Sequence, residues 1–408
     1  MPTLASSSLV QVRYIAESTF GVIPVAGNPK DLRVTGESLD FTVTKEQSKE
    51  INSTRTISSV TATTAAASGG INAEFSYQEY DTLIAAVLQD TWTVYGTNGI
   101  AAAASSVAAT ATTLTAAVAT AGNDSWANLA KGQWFHYSHP ATANNGKLFR
   151  VSTITAPTTT VITLDASTPA VVVVDTAGAK VATSRLTHGT TQTSYTIERA
   201  ATDIGQFLAY TGMTPSKMTI NVASGSLTTI SVDFMGKDAV RDNTTQLPGT
   251  PVASHAFDIQ SGVSGSSCAL WEGGAPITGT FVKSISLSYD NALRSQEAIC
   301  TLGAVGIGSG TINISGSLSV YFADGALFDK FKANTNSSIS FSSLDTFGNG
   351  YVFTMPVANI SSWKVTAGSK DADMMIDLQF IGLRDATNAV VGLRKAMFVD
   401  RVGSVITA

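Results

Sequence analysis

His136 and His139 form the one H-x-x-H in the chain, between the run Gln133-Trp134-Phe135 and Pro140. Two imidazoles can help hold zinc, but only with further Cys, His or carboxylate ligands at short spacing. None lies nearby, and on a strand residues i and i+3 point to opposite faces. The pair reads as two solvated or half-buried histidines, with no metal. His188 and His255 stand alone in polar loops. Gly303, Gly306, Gly308 and Gly310 look like a phosphate cradle, yet the Lys-Ser/Thr pair and following helix are missing. They read as a flexible loop. Glu46 and Glu50 make a carboxylate pair in a polar stretch and read as solvated charges. No nucleophile elbow, dinucleotide fingerprint or zinc-protease motif occurs. The residues therefore offer no catalytic, cofactor or metal site, and the expectation is a protein that is not an enzyme.

The elements around these residues carry more information. The chain has 408 residues, 44 % of them hydrophobic and 13 % charged, with a net charge of −5. The charged share is about half that of ordinary globular domains. Ser, Thr, Ala and Gly replace it, giving a surface that is easily desolvated and suits interfaces. A net negative chain has no basic footprint for gripping nucleic acid. Cys268 and Cys300 are too few for a disulfide framework and read as buried thiols. Met1-Pro2-Thr3-Leu4-Ala5 lacks the regions of a secretory signal. The uncharged stretch Ile100 to Gly122 is too polar for a membrane helix. A soluble protein made in a cytoplasm, with no membrane partner, is expected.

Two segments share an order of elements. Alternating Leu39, Phe41 and Val43 are matched to Ile285, Leu287 and Tyr289, each predicting a half-buried strand. Polar stretches Thr44 to Ser68 and Asp290 to Ser309 follow. Ser68-Gly69-Gly70-Ile71-Asn72 resembles Ser309-Gly310-Thr311-Ile312-Asn313, and each launches a further strand. A helix comes next, with stripes Tyr80, Leu83, Ile84, Val87, Leu88 and Leu327, Phe328, Phe331, the second N-capped by Asp324. Later strands end in Ile230, Val232, Phe234, Gly236 and Ile376, Leu378, Phe380, Gly382.

The fold expected is mainly β, with two copies of this order of strands and one helix, and an inserted small β-sandwich or barrel domain. The first unit is assigned to residues 1–90 and 191–240. The insert takes 91–190, facing outward, with strands at Gln133 to Tyr137, Leu148 to Ser152, Thr160 to Leu164 and Val171 to Val174. Residues 241–276 read as a linker that Phe257, Ile259 and Trp271 pin to a neighbour. The second unit is 277–408.

Several phrases resemble the tail tube proteins of long-tailed bacteriophages, in a larger form with a doubled tube fold. They are Tyr14-Ile15-Ala16-Glu17-Ser18-Thr19-Phe20-Gly21, Leu32-Arg33-Val34-Thr35, Ser48-Lys49-Glu50-Ile51, Gly70-Ile71-Asn72, Tyr195-Thr196-Ile197-Glu198-Arg199, Gly212-Met213-Thr214-Pro215 and Phe234-Met235-Gly236-Lys237. The resemblance implies that each copy is itself a β-sandwich or barrel with one flanking helix. It also implies a virion protein, assembled in the host cytoplasm, whose inner strands join those of its neighbours around a channel for DNA. The DNA would pass without sequence-specific binding. Further partners would be the tape measure, tail tip and terminator proteins. The loops after the first strands would reach neighbouring subunits, with Lys45, Glu46, Lys49, Glu50, Arg55, Arg294 and Glu297 as contact candidates. Single-fold relatives form six-membered rings, so two copies per chain imply a homotrimeric ring. The alternative is a multidomain β adhesin or carbohydrate-binding tail protein, which would stay small in a sedimentation run.

Overall fold

The computed structural model describes residues 4–139, 143–262, 269–277, 281–322, 325–368, 370–371, 373–386 and 395–403. The first part carries β1 (Val10–Ala16), β2 (Lys30–Leu32), β3 (Gly36–Glu37), β4 (Asp40–Gln47) and β5 (Val60–Glu74), then α1 (Asp81–Leu88) and β6 (Thr93–Val94). Eight short strands follow: β7 (Ile100–Ala102), β8 (Val107–Ala109), β9 (Thr113–Ala116), β10 (Trp134–Ser138), β11 (Lys147–Arg150), β12 (Val161–Thr163), β13 (Val173–Asp175) and β14 (Lys180–Ala182). Next come β15 (Ser184–Thr187), β16 (Tyr195–Ala201), β17 (Gln206–Ala223), β18 (Thr229–Gly236), β19 (Asp238–Asp242), β20 (Leu270–Glu272) and β21 (Ala275–Pro276). The last part holds β22 (Val282–Asp290), β23 (Arg294–Gln296), β24 (Gly306–Gly308), β25 (Asn313–Tyr321), α2 (Ala326–Lys332), β26 (Ser337–Leu344), β27 (Gly350–Ala367), β28 (Met374–Leu383) and β29 (Phe398–Val402).

The fold is mainly β, as the alternating patterns required. In the first half β4 pairs with β5, β5 with β18, β18 with β17 and β17 with β16, all antiparallel. In the second half β22, β25, β28, β27 and β26 pair in the same order. β17 and β27 are each 18 residues long. Each bulges at two places: β17 between Tyr210 and Met213 and between Pro215 and Lys217, β27 between Met355 and Ala358 and between Ile360 and Ser362. A bulge re-aims a strand, so the start of each lies in one layer and its end in another. β17 then pairs across the halves with β22, Lys217 opposite Asp290 and Ile220 opposite Leu287. An eight-stranded run β4–β5–β18–β17–β22–β25–β28–β27 results, and one aliphatic and aromatic cluster spans both halves beneath it.

Pairing corrects the phrase matching. Gly69 lies opposite Phe234, and Gly316, not Gly310, lies opposite Phe380. Ser315-Gly316-Ser317-Leu318 thus stands where Ser68-Gly69-Gly70-Ile71 does, and Ser286-Leu287-Ser288-Tyr289 where Ser38-Leu39-Asp40-Phe41 does. Both glycines are needed for space. A Cβ on Gly69 would meet the Ser38 carbonyl oxygen at 2.4 Å, and one on Gly316 would meet Phe380 Cζ at 2.2 Å.

Residues 100–182 fold into two four-stranded sheets, β11-β10-β14-β7 and β12-β9-β8-β13. They have their own core around Leu114, Trp126, Phe135, Tyr137, Phe149 and Ile162. The stretch Ile100 to Gly122 supplies β7, β8 and β9. β15 lies inside the range assigned to the insert but belongs to the large sheet, between β6 and the C-terminal strand β29. The presumed linker is also structural. Phe257 meets Tyr77 edge-on at 5.2 Å, Ile259 bridges to Ser76, and Trp271 packs on Trp134 with ring centroids 4.3 Å apart. Asp324, expected as an N-cap, lies outside the described residues. The residue at that cap is Gly325, which offers no side chain.

Candidate functional site

The eight-stranded run has one face on the core and one in solvent. Directly opposed residues share a face, so register lets the solvent face be followed across strands. One row runs Asn72, Ser231, Thr219, Ser288, Ser315, Ile381. The next runs Glu74, Thr229, Asn221, Ser286, Ser317, Gln379, Ser362. A third holds Asp233, Lys217, Asp290 and Asn313, and a fourth Ser284, Ser319, Asp377 and Lys364. The surface is made of hydroxyls and amides. Some are turned on each other: Ser286 Oγ donates to Asn221 Oδ1 at 2.6 Å and Ser319 Oγ to Asp377 Oδ1 at 2.7 Å. Lys217 stands in register between Asp233 and Asp290, and Lys364 opposite Asp377. A third lysine, Lys283, is exposed beside Ser284 and Lys364.

Both ends of the run are open among the described residues. At one end β4 pairs on one side only, with β5. At the other, residues 362–367 of β27 pair on one side only, with β28. Val365 is 37 % exposed there, whereas Ile220 at the corresponding place of β17 is buried beneath its pairing with β22. Unpaired strand edges with apolar inward residues are templates for another strand.

The loops at these ends differ. The expected long loop Thr44 to Ser68 is mostly strand, leaving 48–59 as its tip. Ile51 is 99 % exposed at that tip. In the second half the corresponding segment carries the β23–β24 hairpin, with Gly306 and Gly308 in a strand and not in a free loop. That segment lies on the first half. Asn291 Nδ2 donates to the Val87 carbonyl at 2.7 Å, and Gln89 Nε2 donates to Ser309 Oγ at 2.7 Å, both at the end of α1. Cys300, expected as a buried thiol, is exposed at the hairpin tip with φ 67°; Cys268 lies outside the described residues.

Lys45 and Glu46 sit at the end of β4, Lys49, Glu50 and Arg55 in the loop tip, Arg294 on β23 and Glu297 just beyond it. All seven are exposed, and none forms an ion pair among the described residues. The structure thus separates them into two groups on two hairpins and brings none together within the chain.

The buried charges are elsewhere, and sequence reasoning missed them. Arg401 of β29 pairs with Asp81 at the start of α1, and Tyr351 donates to the same carboxylate. Arg401 also lies over the Trp92 ring at 5.3 Å. Arg185 holds Asp400 through two 2.7 Å hydrogen bonds, and Asp400 accepts from Trp134 N at 2.9 Å. These pairs tie the C-terminal strand to α1 and to the insert. Their partners are hundreds of residues apart, so no local spacing announces them. The histidines are more buried than expected. His136 sits beside Gly348 of the β26–β27 turn, and burial pushes it down to about 4. His139 Nε2 lies 3.0 Å from Thr176 Oγ1. His188 Nε2 accepts from Ala396 N, and burial, with Lys395 next, pushes it down to about 4. Among the described residues no three potential ligands converge on a metal position.

The described residues thus present a polar sheet face between two open edges. Residues 7–382 match the family of phage tail tube proteins. The chain belongs to that family. A search of curated proteins finds no match. Membership makes this a structural protein of the phage tail, with the β-rich fold of a tube subunit.

Proposed function

We propose that the chain carries two copies of one tube unit, at about residues 10–98 with 183–242 and at 282–402, and that three chains close a ring of six units. Rings stack into a tube whose wall turns the hydroxyl-rich face toward the channel. The observation that carries this reading is the β17–β22 junction. It joins two halves of equal pairing order and leaves the same two edges open at the chain's ends. Repeating that junction between chains continues the sheet around a closed path. A heterologous contact of this kind generates a ring when its rotation closes.

The proposed lining suits passage of a polyanion. Phosphate binding by released counterions needs rows of unpaired Lys or Arg. Here Lys217 and Lys364 stand opposite Asp233, Asp290 and Asp377, Lys283 is a further lysine beside Lys364, and Glu74 adds negative charge. Duplex DNA would slide past hydroxyls without a sequence-specific grip. The insert, built on the helix-to-strand connection of the first unit, would face outward. The tape measure, tail tip and terminator proteins would be the further partners in the virion, with assembly in the host cytoplasm. Negative-stain microscopy of the purified protein tests the reading. Stacked rings or tubes are expected. A dispersed monomer at all concentrations and ionic strengths would contradict it.

A further inference from the structure

The open edge of β4 is not bare in the isolated chain. Arg199 of β16 ion-pairs with Glu37 at 2.6 Å and donates to the Leu39 carbonyl at 2.5 Å. Tyr210 Oη donates to the same carbonyl at 3.2 Å, and Leu39 N donates to Glu37 Oε2 at 2.8 Å. Ser38 N donates to Gly70 O on β5. Backbone groups alternate sides along a strand, so the Leu39 groups face the open side. The three side chains therefore occupy the Leu39 N–H and carbonyl, where an added strand would make hydrogen bonds.

The second half provides the control. Its pairing register puts Ile285 where the first half has Glu37, Phe341 where it has Arg199, and Met355 where it has Tyr210. There the edge is not open: Leu287 of β22 lies opposite Ile220 of β17. The polar trio thus occurs at the edge without a strand partner and is apolar at the edge that has one. Side-chain charges placed against a sheet edge are a known means of preventing indiscriminate pairing.

We propose that Glu37, Arg199 and Tyr210 form a plug on the docking edge for a second copy of this chain, displaced when that copy adds residues 362–367 of β27 to β3 and β4. This rests on the ring reading above. The intramolecular junction fixes the register: Trp363 opposite Phe41, Lys364 opposite Asp40, Val365 opposite Leu39. Charge agrees with it independently. Lys364 would stand between Asp377 of its own chain and Asp40 of the other, as Lys217 stands between Asp233 and Asp290. A shift by two residues toward the chain end would set Lys364 against Ser38, with no charge to meet it. The plug makes docking an exchange of side-chain for backbone hydrogen bonds, which slows association of single chains without forbidding it.

Two experiments on the full chain test this. In a background with Cys268→Ser and Cys300→Ser, Asp40→Cys with Lys364→Cys should form disulfides between chains on oxidation of assembled tubes. Thr44→Cys with Lys364→Cys should not. Arg199→Met, with Glu37→Gln as a second variant, should lower the protein concentration at which tubes form, on the order of tenfold for loss of one charged hydrogen-bond group. Wild-type tubes with no bond at the first pair overturn the register. Variants that assemble at the wild-type concentration, or only at a higher one, overturn the plug. A wild type that never forms tubes overturns the ring reading itself, and the proposal with it.

Discussion

α1 and α2 occupy the same place in their halves and differ in what covers them. Leu83, Ile84, Val87 and Leu88 of α1 are buried, and Asp81 is held by Arg401 and Tyr351 from the second half. The end of α1 is closed by Asn291 and Ser309 of the second half's loop. α2 is less covered among the described residues: Phe328 is 41 % exposed, touching Trp363 of β27 at 5.8 Å, and Lys330 ion-pairs with Glu272 of β20. The pairing frames are alike, and the helix sequences match their settings: α1 is apolar beyond Asp81 and Thr82, whereas α2 carries Asp329, Lys330 and Lys332. Among the described residues the second half's loop lies on the end of α1, and no corresponding segment lies on α2.

The comparison breaks most sharply at the buried charges. Arg401→Leu strands the Asp81 carboxylate against α1, and removing one partner of a buried pair costs about 3–5 kcal/mol. Urea unfolding should show a loss of that order, and a change under about 1 kcal/mol would mean that α1 is seated by apolar packing alone. His136 gives the next largest effect. Its folded value of about 4 lies below the ordinary 6.5, so the unfolded chain binds more protons between these values. Stability is full above pH 6.5 and falls as pH drops toward 4, by about 3 kcal/mol for this group. Denaturation at pH 7.5 and 4.5 should show the fall shrinking in His136→Gln; an equal fall in both proteins would remove His136 from the account.

Phe328→Ala should change folding stability by less than about 1 kcal/mol, the usual range for a surface site, yet raise the concentration needed for tubes. Leu83→Ala at the covered helix should cost about 2–5 kcal/mol in folding. Equal folding costs at both sites would erase the distinction between the helices. Excising residues 99–182 should affect tube formation least. Gly99 O accepts from Thr183 N at 2.8 Å, so the cut ends already meet, and the second half closes the same connection between Lys332 and Ser337. A folded variant that makes no tubes would show that the insert takes part in the wall.

The alternating strands and the α1 stripe were legible because burial on one face imposes a period that survives in any neighbourhood. Ala- and Thr-rich β7, β8 and β9 were not, since small side chains give no contrast between faces. The glycine phrase at Ser309 misled because identity of letters is weaker than pairing. Only register shows that Gly316 answers Gly69. Of the site, the seven charged loop residues were legible as exposed, but not their division between two hairpins. The face rows and the Glu37–Arg199 plug depend on which strands become neighbours, and Cys300 on a turn with positive φ; neither leaves a local signal.

The central claim is that the β17–β22 junction within a chain is repeated between chains. A cryo-microscopy cross-section of the assembled tube tests it most directly. Three chains per ring are expected, with six equivalent four-strand blocks around the channel and β27 of each chain against β4 of the next. Six chains per ring, or a ring in which β27 faces anything other than β4, would contradict it.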